Sequence, residues 1–417
     1  MPKSIAASDL ASLLRPGMHV YAPGLSGEST ILVDGLKAGA ECCAGVSFIG
    51  VWIPGMNRVD YAGLHPQARA TAFFATPETR ESRSAGKVDH LPVSYFAAYG
   101  HLRDRAPVDL ALVQVSPPGA DGRCSLGVAN DFTPAVLDKS AIIVAHVNAR
   151  MPRTTGAATL HLDDLDYVVE AECDLLGDDT ALAPPWDVIG RYVADLIEDG
   201  DAVEVGVGRV QSVYDALSGK RDITVHVGLI GDAVMRAART GVIAERPDAI
   251  TTGVAWGTRD LHEFAASDPR VRFAPVGWTH DITTLASVER FVAVNSVIEV
   301  DLLGQANAEM IGGRQVGAAG GLTDFMRGAR ASSGGRAIVA LESTVKGGSV
   351  SRIVPALAAD TSVSVARGDM EIVVTENGVA DLRGKSVDAR AEALIAIAAP
   401  AFRDELAEAW AERRRRM

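Results

Sequence analysis

The clearest signal along the chain is a set of short, almost wholly apolar runs. Asp109-Leu-Ala-Leu-Val-Gln-Val115 and Ala141-Ile-Ile-Val-Ala-His-Val147 stand in the first half, and Ala337-Ile-Val-Ala-Leu341 and Met370-Glu-Ile-Val-Val-Thr375 in the second. Each is bounded by turn formers, and none alternates polar with apolar residues over its length. This pattern predicts strands buried on both faces, in parallel or mixed sheets covered by helices. Two further strand-like runs, His19-Val-Tyr-Ala22 and Ala202-Val-Glu-Val205, have similar surroundings. Arg15-Pro16-Gly17 precedes the first, and Glu198-Asp199-Gly200 precedes the second. Glycine turns follow, at Gly24 and Gly27 and at Gly206-Val207-Gly208, and then helices predicted over Thr30 to Ala38 and Gln211 to Leu217. The order helix, turn, strand, glycine turn, helix therefore occurs twice, as two copies of one α/β unit or as two generic units of the same kind.

The boundary between the halves is expected at Ala183-Pro184-Pro185-Trp186, because a double proline continues neither a helix nor a central strand. This gives two α/β domains, 1–183 and 184–417. The 417 residues, 47% hydrophobic and 22% charged, are enough for two such cores, and 41 glycines against 5% aromatics suit parallel α/β layers. The net charge of −13 and the lack of a basic stripe, apart from Arg413 to Arg416, argue against a nucleic-acid partner. No apolar stretch is long enough for a bilayer, and the N-terminus has no apolar core of a signal peptide. Cys42, Cys43, Cys124 and Cys173 lack Cys-x-x-Cys spacing, as expected of reduced thiols in a cytoplasmic enzyme. No histidine, cysteine and carboxylate cluster has the spacing of a metal site.

The glycine turns carry the first chemical suggestion. A strand-to-helix turn rich in glycine lets the main chain approach a ligand closely and presents backbone N–H groups to an oxygen that gains charge. Gly206-Val207-Gly208 is one such turn, and Gly317-Ala-Ala-Gly320-Gly321 is a second.

Several strings, in order and over about residues 15 to 406, resemble the acetyl-CoA hydrolase/transferase family, which includes the 4-hydroxybutyrate, butyrate and succinyl-CoA:acetate CoA-transferases. They include Gln114-Val-Ser-Pro-Pro118 with Gly122-Arg-Cys-Ser-Leu-Gly127, and Asn148-Ala-Arg-Met-Pro-Arg153. Further on are Asn295 to Asp301, Ile311-Gly-Gly-Arg-Gln315, Asp324-Phe325 with Arg327-Gly-Ala329, and Val374-Thr-Glu-Asn-Gly-Val-Ala-Asp-Leu-Arg-Gly384. The resemblance implies two similar open-sheet CoA-transferase domains with the active site in the cleft between them. It implies a coenzyme A thioester as substrate and no permanently bound cofactor. It makes homodimerisation plausible, although no interface patch is legible in the sequence. It places backbone donors for the acyl oxygen at Val207 and Gly321, beside Gly206, Gly208 and Gly320, and leaves Arg314 and Arg327 as candidates for CoA phosphates.

The resemblance also marks a departure. The family's matching segment reads His-Thr-Glu, and that glutamate attacks the acyl-CoA to give an anhydride and then a glutamyl-CoA thioester. Here the segment is His226-Val227-Gly228, and glycine cannot act as a nucleophile. Relatives have an Asn-x-Pro turn where this chain has Thr279-His280-Asp281-Ile282, so the positioning asparagine becomes His280. Three readings follow. In the first, the space vacated at Gly228 admits a water, with His280 or His226 as base, for hydrolysis of a thioester or of a carbon–carbon bond in a β-dicarbonyl CoA ester. In the second, a substrate nucleophile enters and the acyl group transfers directly. In the third, the protein binds an acyl-CoA without turnover. A CoA-transferase using another carboxylate is the alternative enzyme. Asp232 is expected to begin a helix, Cys124 to be a buried small residue and Arg383 to form a structural ion pair, with Glu299 and Glu309 as lesser catalytic candidates.

Overall fold

The computed structural model describes residues 1–178 and 185–416. Ala183 and Pro184, at the expected domain boundary, lie outside the described residues. The described residues are organised around two eight-stranded sheets, one drawn from residues 3–170 and the other from residues 202–381.

The first sheet runs 88–90, 69–72, 47–50, 19–21, 110–115, 142–147, 167–170 and 3–4, and every pairing is parallel. The second runs 271–273, 250–252, 224–226, 202–205, 291–296, 336–340, 372–375 and 378–381. Only its last pairing, 372–375 with 378–381, is antiparallel. The two orders coincide strand for strand over the first seven positions. From 19–21 in the first half and 202–205 in the second, the chain builds outward for three further strands, then returns to that strand's other side and builds the opposite way. The likeness seen at 19–22 and 202–205 thus extends to a whole doubly wound topology.

The apolar runs form these strands because both faces are covered. All six residues of Leu110–Val115 are buried, as are all four of Ala202–Val205 and of Ile372–Thr375. Helices occupy Thr30–Ala38, capped by Ser29 through Leu32 N, and Ser212–Ala216. The parallel strands and covering helices match the fold class expected from sequence.

In doubly wound sheets a ligand site lies beyond the carboxyl ends of the strands where winding changes direction. Here those points lie between 19–21 and 110–115, and between 202–205 and 291–296. A strap from the first half reaches the second near this place. Ala129 bridges to Val254, Ala255 N donates to Val128 O at 2.9 Å, and Asn130 N donates to Gly253 O at 2.9 Å.

Candidate active site

A cavity of about 200 Å³ lies between the two halves, at the switch point of the second sheet. The first half contributes Leu25, Ile53, Phe74, Tyr95 and Asp131 to its wall. The second half contributes the ends of strands 202–205 and 291–296, Gly228, His280, and the loop 318–321 leading into helix Leu322–Ala331.

Both glycine turns border it. Gly206 is required by crowding, because a Cβ there would lie 2.6 Å from Asn295 Oδ1. The space left open lets Asn295 Nδ2 donate to Glu204 Oε2 at 2.7 Å. Gly208 has φ of +97°, which turns the chain into the following helical segment, but it does not line this cavity. Gly320 has φ of +57°, and its carbonyl accepts from Tyr95 N at 3.0 Å, tying the loop to the first half. Gly321 is the N-cap of helix Leu322–Ala331, so the amide end of a helix dipole opens toward the cavity. The amides of Val207 and Gly321 have no hydrogen-bond acceptor among the described residues, and both residues line the cavity.

Gly228 and His280 meet. A Cβ built on Gly228 would lie 2.8 Å from His280 Cε1 and 3.1 Å from Nε2. One on Gly321 would lie 2.6 Å from the same Nε2. The imidazole therefore occupies the direction a side chain at 228 would take, and the expected water-sized vacancy there is filled by a ring. The ring packs on Phe325 at 4.4 Å and Tyr95 at 5.2 Å between centroids, with Nδ1 2.9 Å from Thr279 Oγ1. Burial, aided by His226, pushes its pKa down to about 3. His280 is neutral near pH 7 and a weak proton acceptor there.

His226 does not line the cavity. Its Nε2 donates to Thr279 O at 2.9 Å, and its ring stacks on Trp278 at 5.2 Å. Burial lowers its pKa to about 4. Its place is beneath the 278–280 turn, where it fixes the segment that carries His280.

The arginines separate. Arg327 lies off the cavity, with Nε 3.3 Å from Asp369 Oδ2. Arg314 borders a second cavity of about 640 Å³ together with Arg80 and Arg83, and none of the three pairs with a carboxylate among the described residues. This cavity is adjacent in the chain to the first, through Phe74–Ala75 on one side and Val316–Ala318 on the other. Glu309 accepts from Ser364 and Gln315, and Glu299 accepts from Asn307. Asp232 begins the helix Asp232–Arg239 and accepts from Thr258 N at 3.0 Å. Arg383 pairs with Asp381 at 2.7 Å. Cys124 is fully buried, and all four cysteines are free thiols.

Two carboxyl groups in the wall were not singled out from the sequence. Glu204 is 1% exposed, and burial pushes its pKa well up despite the Asn295 hydrogen bond. Asp131, from the first half, is raised to about 7 by burial, partly offset by the Phe132 amide. A glutamate within an otherwise apolar strand, Val203-Glu204-Val205, is a signal the sequence does contain. Asp131 follows a run of small and polar residues and has no comparable signal.

Models of the acetyl-CoA hydrolase/transferase N-terminal and C-terminal domains match residues 1–174 and 257–410. The chain is 35% identical to the 4-hydroxybutyrate coenzyme A transferase of Clostridium kluyveri, over 99% of this chain and 98% of the relative. It is 36% identical to the succinyl-CoA:cyclohexane-1-carboxylate CoA transferase of Geobacter metallireducens, over 96% and 93%. Among solved structures, RipA from Yersinia pestis superimposes with a TM-score of 0.89 at 28% identity, covering 98% of this chain and 97% of that one. The 4-hydroxybutyrate CoA-transferase of Porphyromonas gingivalis does so with 0.80 at 30% identity, covering 100% and 98%. With its two-sheet fold, cleft and near full-length likeness, the chain belongs to the acetyl-CoA hydrolase/transferase family.

Proposed function

We propose that this enzyme hydrolyses an acyl-CoA, cleaving the thioester or a β-dicarbonyl carbon–carbon bond, without forming an enzyme-bound glutamyl thioester. The observation that carries the reading is the pairing of Gly228 with His280. An imidazole stands where a residue-228 side chain would point, so neither a nucleophile nor room for one exists at that place. Val207 and Gly321 border the same cavity, and their amides, without an acceptor among the described residues, would hold the oxygen of the acyl carbonyl as it gains charge. The neutral His280 ring beside them would hydrogen-bond the attacking water or the carbonyl without adding charge. Leu25, Ile53, Phe74, Ala318 and Ala319 give the wall an apolar part, which suits the hydrocarbon portion of an acyl group. Arg80, Arg83 and Arg314, around the adjoining cavity, would meet the phosphates of the CoA.

The test uses acetyl-, butyryl- and 4-hydroxybutyryl-CoA, each with and without acetate, following free thiol and product mass. Thiol release from these thioesters, or cleavage of added acetoacetyl-CoA to acetate and acetyl-CoA seen by mass, in either case without an acceptor acid, is the expected result. Exchange of CoA onto acetate without thiol release would overturn it.

CoA transfer through another carboxylate is the second reading. It is favoured by Asp131 and Glu204 lining the cavity, and the two relatives named above are transferases by name. Borohydride reduction followed by peptide mass spectrometry would reveal the acyl-CoA-derived adduct that this route requires.

A further inference from the structure

We infer that Asp131 is the proton acceptor for the attacking water, a carboxylate brought by the first half to the place beside Gly228. The inference rests on the hydrolytic reading. Its basis is the backbone around Gly253. Gly253 N donates to Gly228 O at 3.0 Å, and Asn130 N donates to Gly253 O at 2.9 Å. A Cβ built on Gly253 would lie 3.1 Å from Gly228 O and 3.4 Å from Asp131 Cβ. Gly228 and Asp131 therefore flank one glycine, and both line the cavity. The strap that carries Asp131 is anchored on its other side as well, since Asp131 O accepts from Val276 N at 3.0 Å. Val276 opens the short helix whose end presents His280.

The other titratable groups of the wall are less suited. Burial pushes the Glu204 carboxyl well up, and Asn295 Nδ2 already donates to it. His280 is held neutral and weakly basic. Tyr95 and Tyr21 lie close enough to Asp131 for its charge to raise them further above ordinary phenols, so both stay protonated. No cation pairs with Asp131 among the described residues; its carboxylate accepts from the Phe132 amide and has further acceptor capacity for a water. Its pKa, raised to about 7, is matched to proton transfer near neutral pH.

The step balances. A water proton passes to the Asp131 carboxylate as the water oxygen bonds to the thioester carbon. The carbonyl electron pair moves onto oxygen, held by the Val207 and Gly321 amides. The pair returns, the carbon–sulfur bond breaks, and the departing sulfur takes the proton from Asp131. The acid and free CoA leave, and the carboxylate is restored.

The experiment compares wild type, Asp131→Asn and Asp131→Glu on acetyl- and butyryl-CoA by thiol release, as kcat, KM and pH profile, with urea midpoints as the folding control. Expected is a loss of roughly 100-fold or more in kcat for Asp131→Asn, with KM little changed and the acidic limb of the profile near pH 7 abolished. Asp131→Glu recovers part of the rate and keeps a limb. If wild type hydrolyses and a folded Asp131→Asn does so at the same rate, the inference fails and the hydrolytic reading stands. If wild type only exchanges CoA with acetate, the hydrolytic reading fails, and the base role falls with it. A borohydride-trapped adduct at Asp131 would overturn the role of base and make it a nucleophile.

Discussion

The same strand–turn–helix unit occurs twice, and its two turns have opposite fates. In the first half, the turn after strand 19–21 is closed by packing. Leu25 N donates to Asn57 Oδ1 at 3.0 Å, Gln114 Nε2 donates to Ser26 O at 3.1 Å, and Ser26 Oγ donates to Ala255 O at 2.7 Å. Ser26 and Gly27 are buried, and a Cβ on Gly24 would collide with the carbonyl oxygen of Val51. In the second half, the turn after strand 202–205 stays open. Val207 is 40% exposed with an unengaged amide, and a Cβ on Gly208 would meet nothing within 4 Å. One copy thus joins the halves and the other leaves a backbone amide unpaired at the cavity. A glycine-rich turn at a switch point supplies donors only if its surroundings leave them unpaired.

The largest expected effect separates the two turns. Gly24→Ala places a methyl against backbone that cannot yield, and should cost about 3 kcal/mol or more, seen as lost soluble protein or a collapsed urea midpoint. Gly208→Ala meets no atom but imposes a positive φ on alanine, costing about 1 kcal/mol. It should lower kcat by more than its stability loss explains, because it shifts the Val207 amide. Equal losses of stability at the two sites would break the contrast.

The next effect tests the pairing in the open wall. Gly228→Glu alone should destabilise by about 2 kcal/mol, because its side chain enters the His280 ring. His280→Asn added to it should recover at least half of that loss in urea unfolding, a coupling expected of residues in contact. Additive losses would show that the ring yields freely and the pairing is weak.

The smallest effect distinguishes the walls by proton binding. Asp131, on the first-half side, is raised, so the folded state binds more protons than the unfolded chain between about pH 4 and 7. The stability this gives is complete at low pH and lost as pH rises through 7. His280 and His226, on the second-half side, are lowered, and their contribution is lost as pH falls from about 6.5 toward 3. Asp131→Asn should flatten the decline between pH 5 and 7, and His280→Asn the decline below pH 6.5. Each slope changes by at most about 1.4 kcal/mol per pH unit for one proton, readable from urea unfolding at a series of pH values.

Much of the fold was legible because both-face burial leaves a simple trace. Leu110–Val115 and Ile142–Val147 read as almost wholly apolar runs, and Ser29 caps a helix that ends at Ala38 as expected. The Gly206–Gly208 and Gly320–Gly321 turns were visible for the same local reason. Gly228 and His280 could be named, but not their contact, since 52 positions separate them and only the tertiary fold shows that one fills the other's place. His226, two residues from Gly228, ends the strand Thr224–His226, and Thr279 O and the Trp278 ring hold its imidazole away from the cavity. Arg327 read as a phosphate ligand, yet Asp369 stands beside it. Asp131 was invisible because its significance comes from the opposite half of the molecule: Gly253 and Val276, which flank it, are more than a hundred positions away in sequence.

The strap 128–131 has a consequence for how the protein can be divided. Its main chain is stitched to residues 253–255 and 276, so a piece of one half has become part of the other's framework. A cut between the two sheets would yield two incomplete proteins, one with an unpaired ribbon and one with a breached wall. Although the architecture repeats, the halves share framework along their boundary, and heat or denaturant should take both apart together.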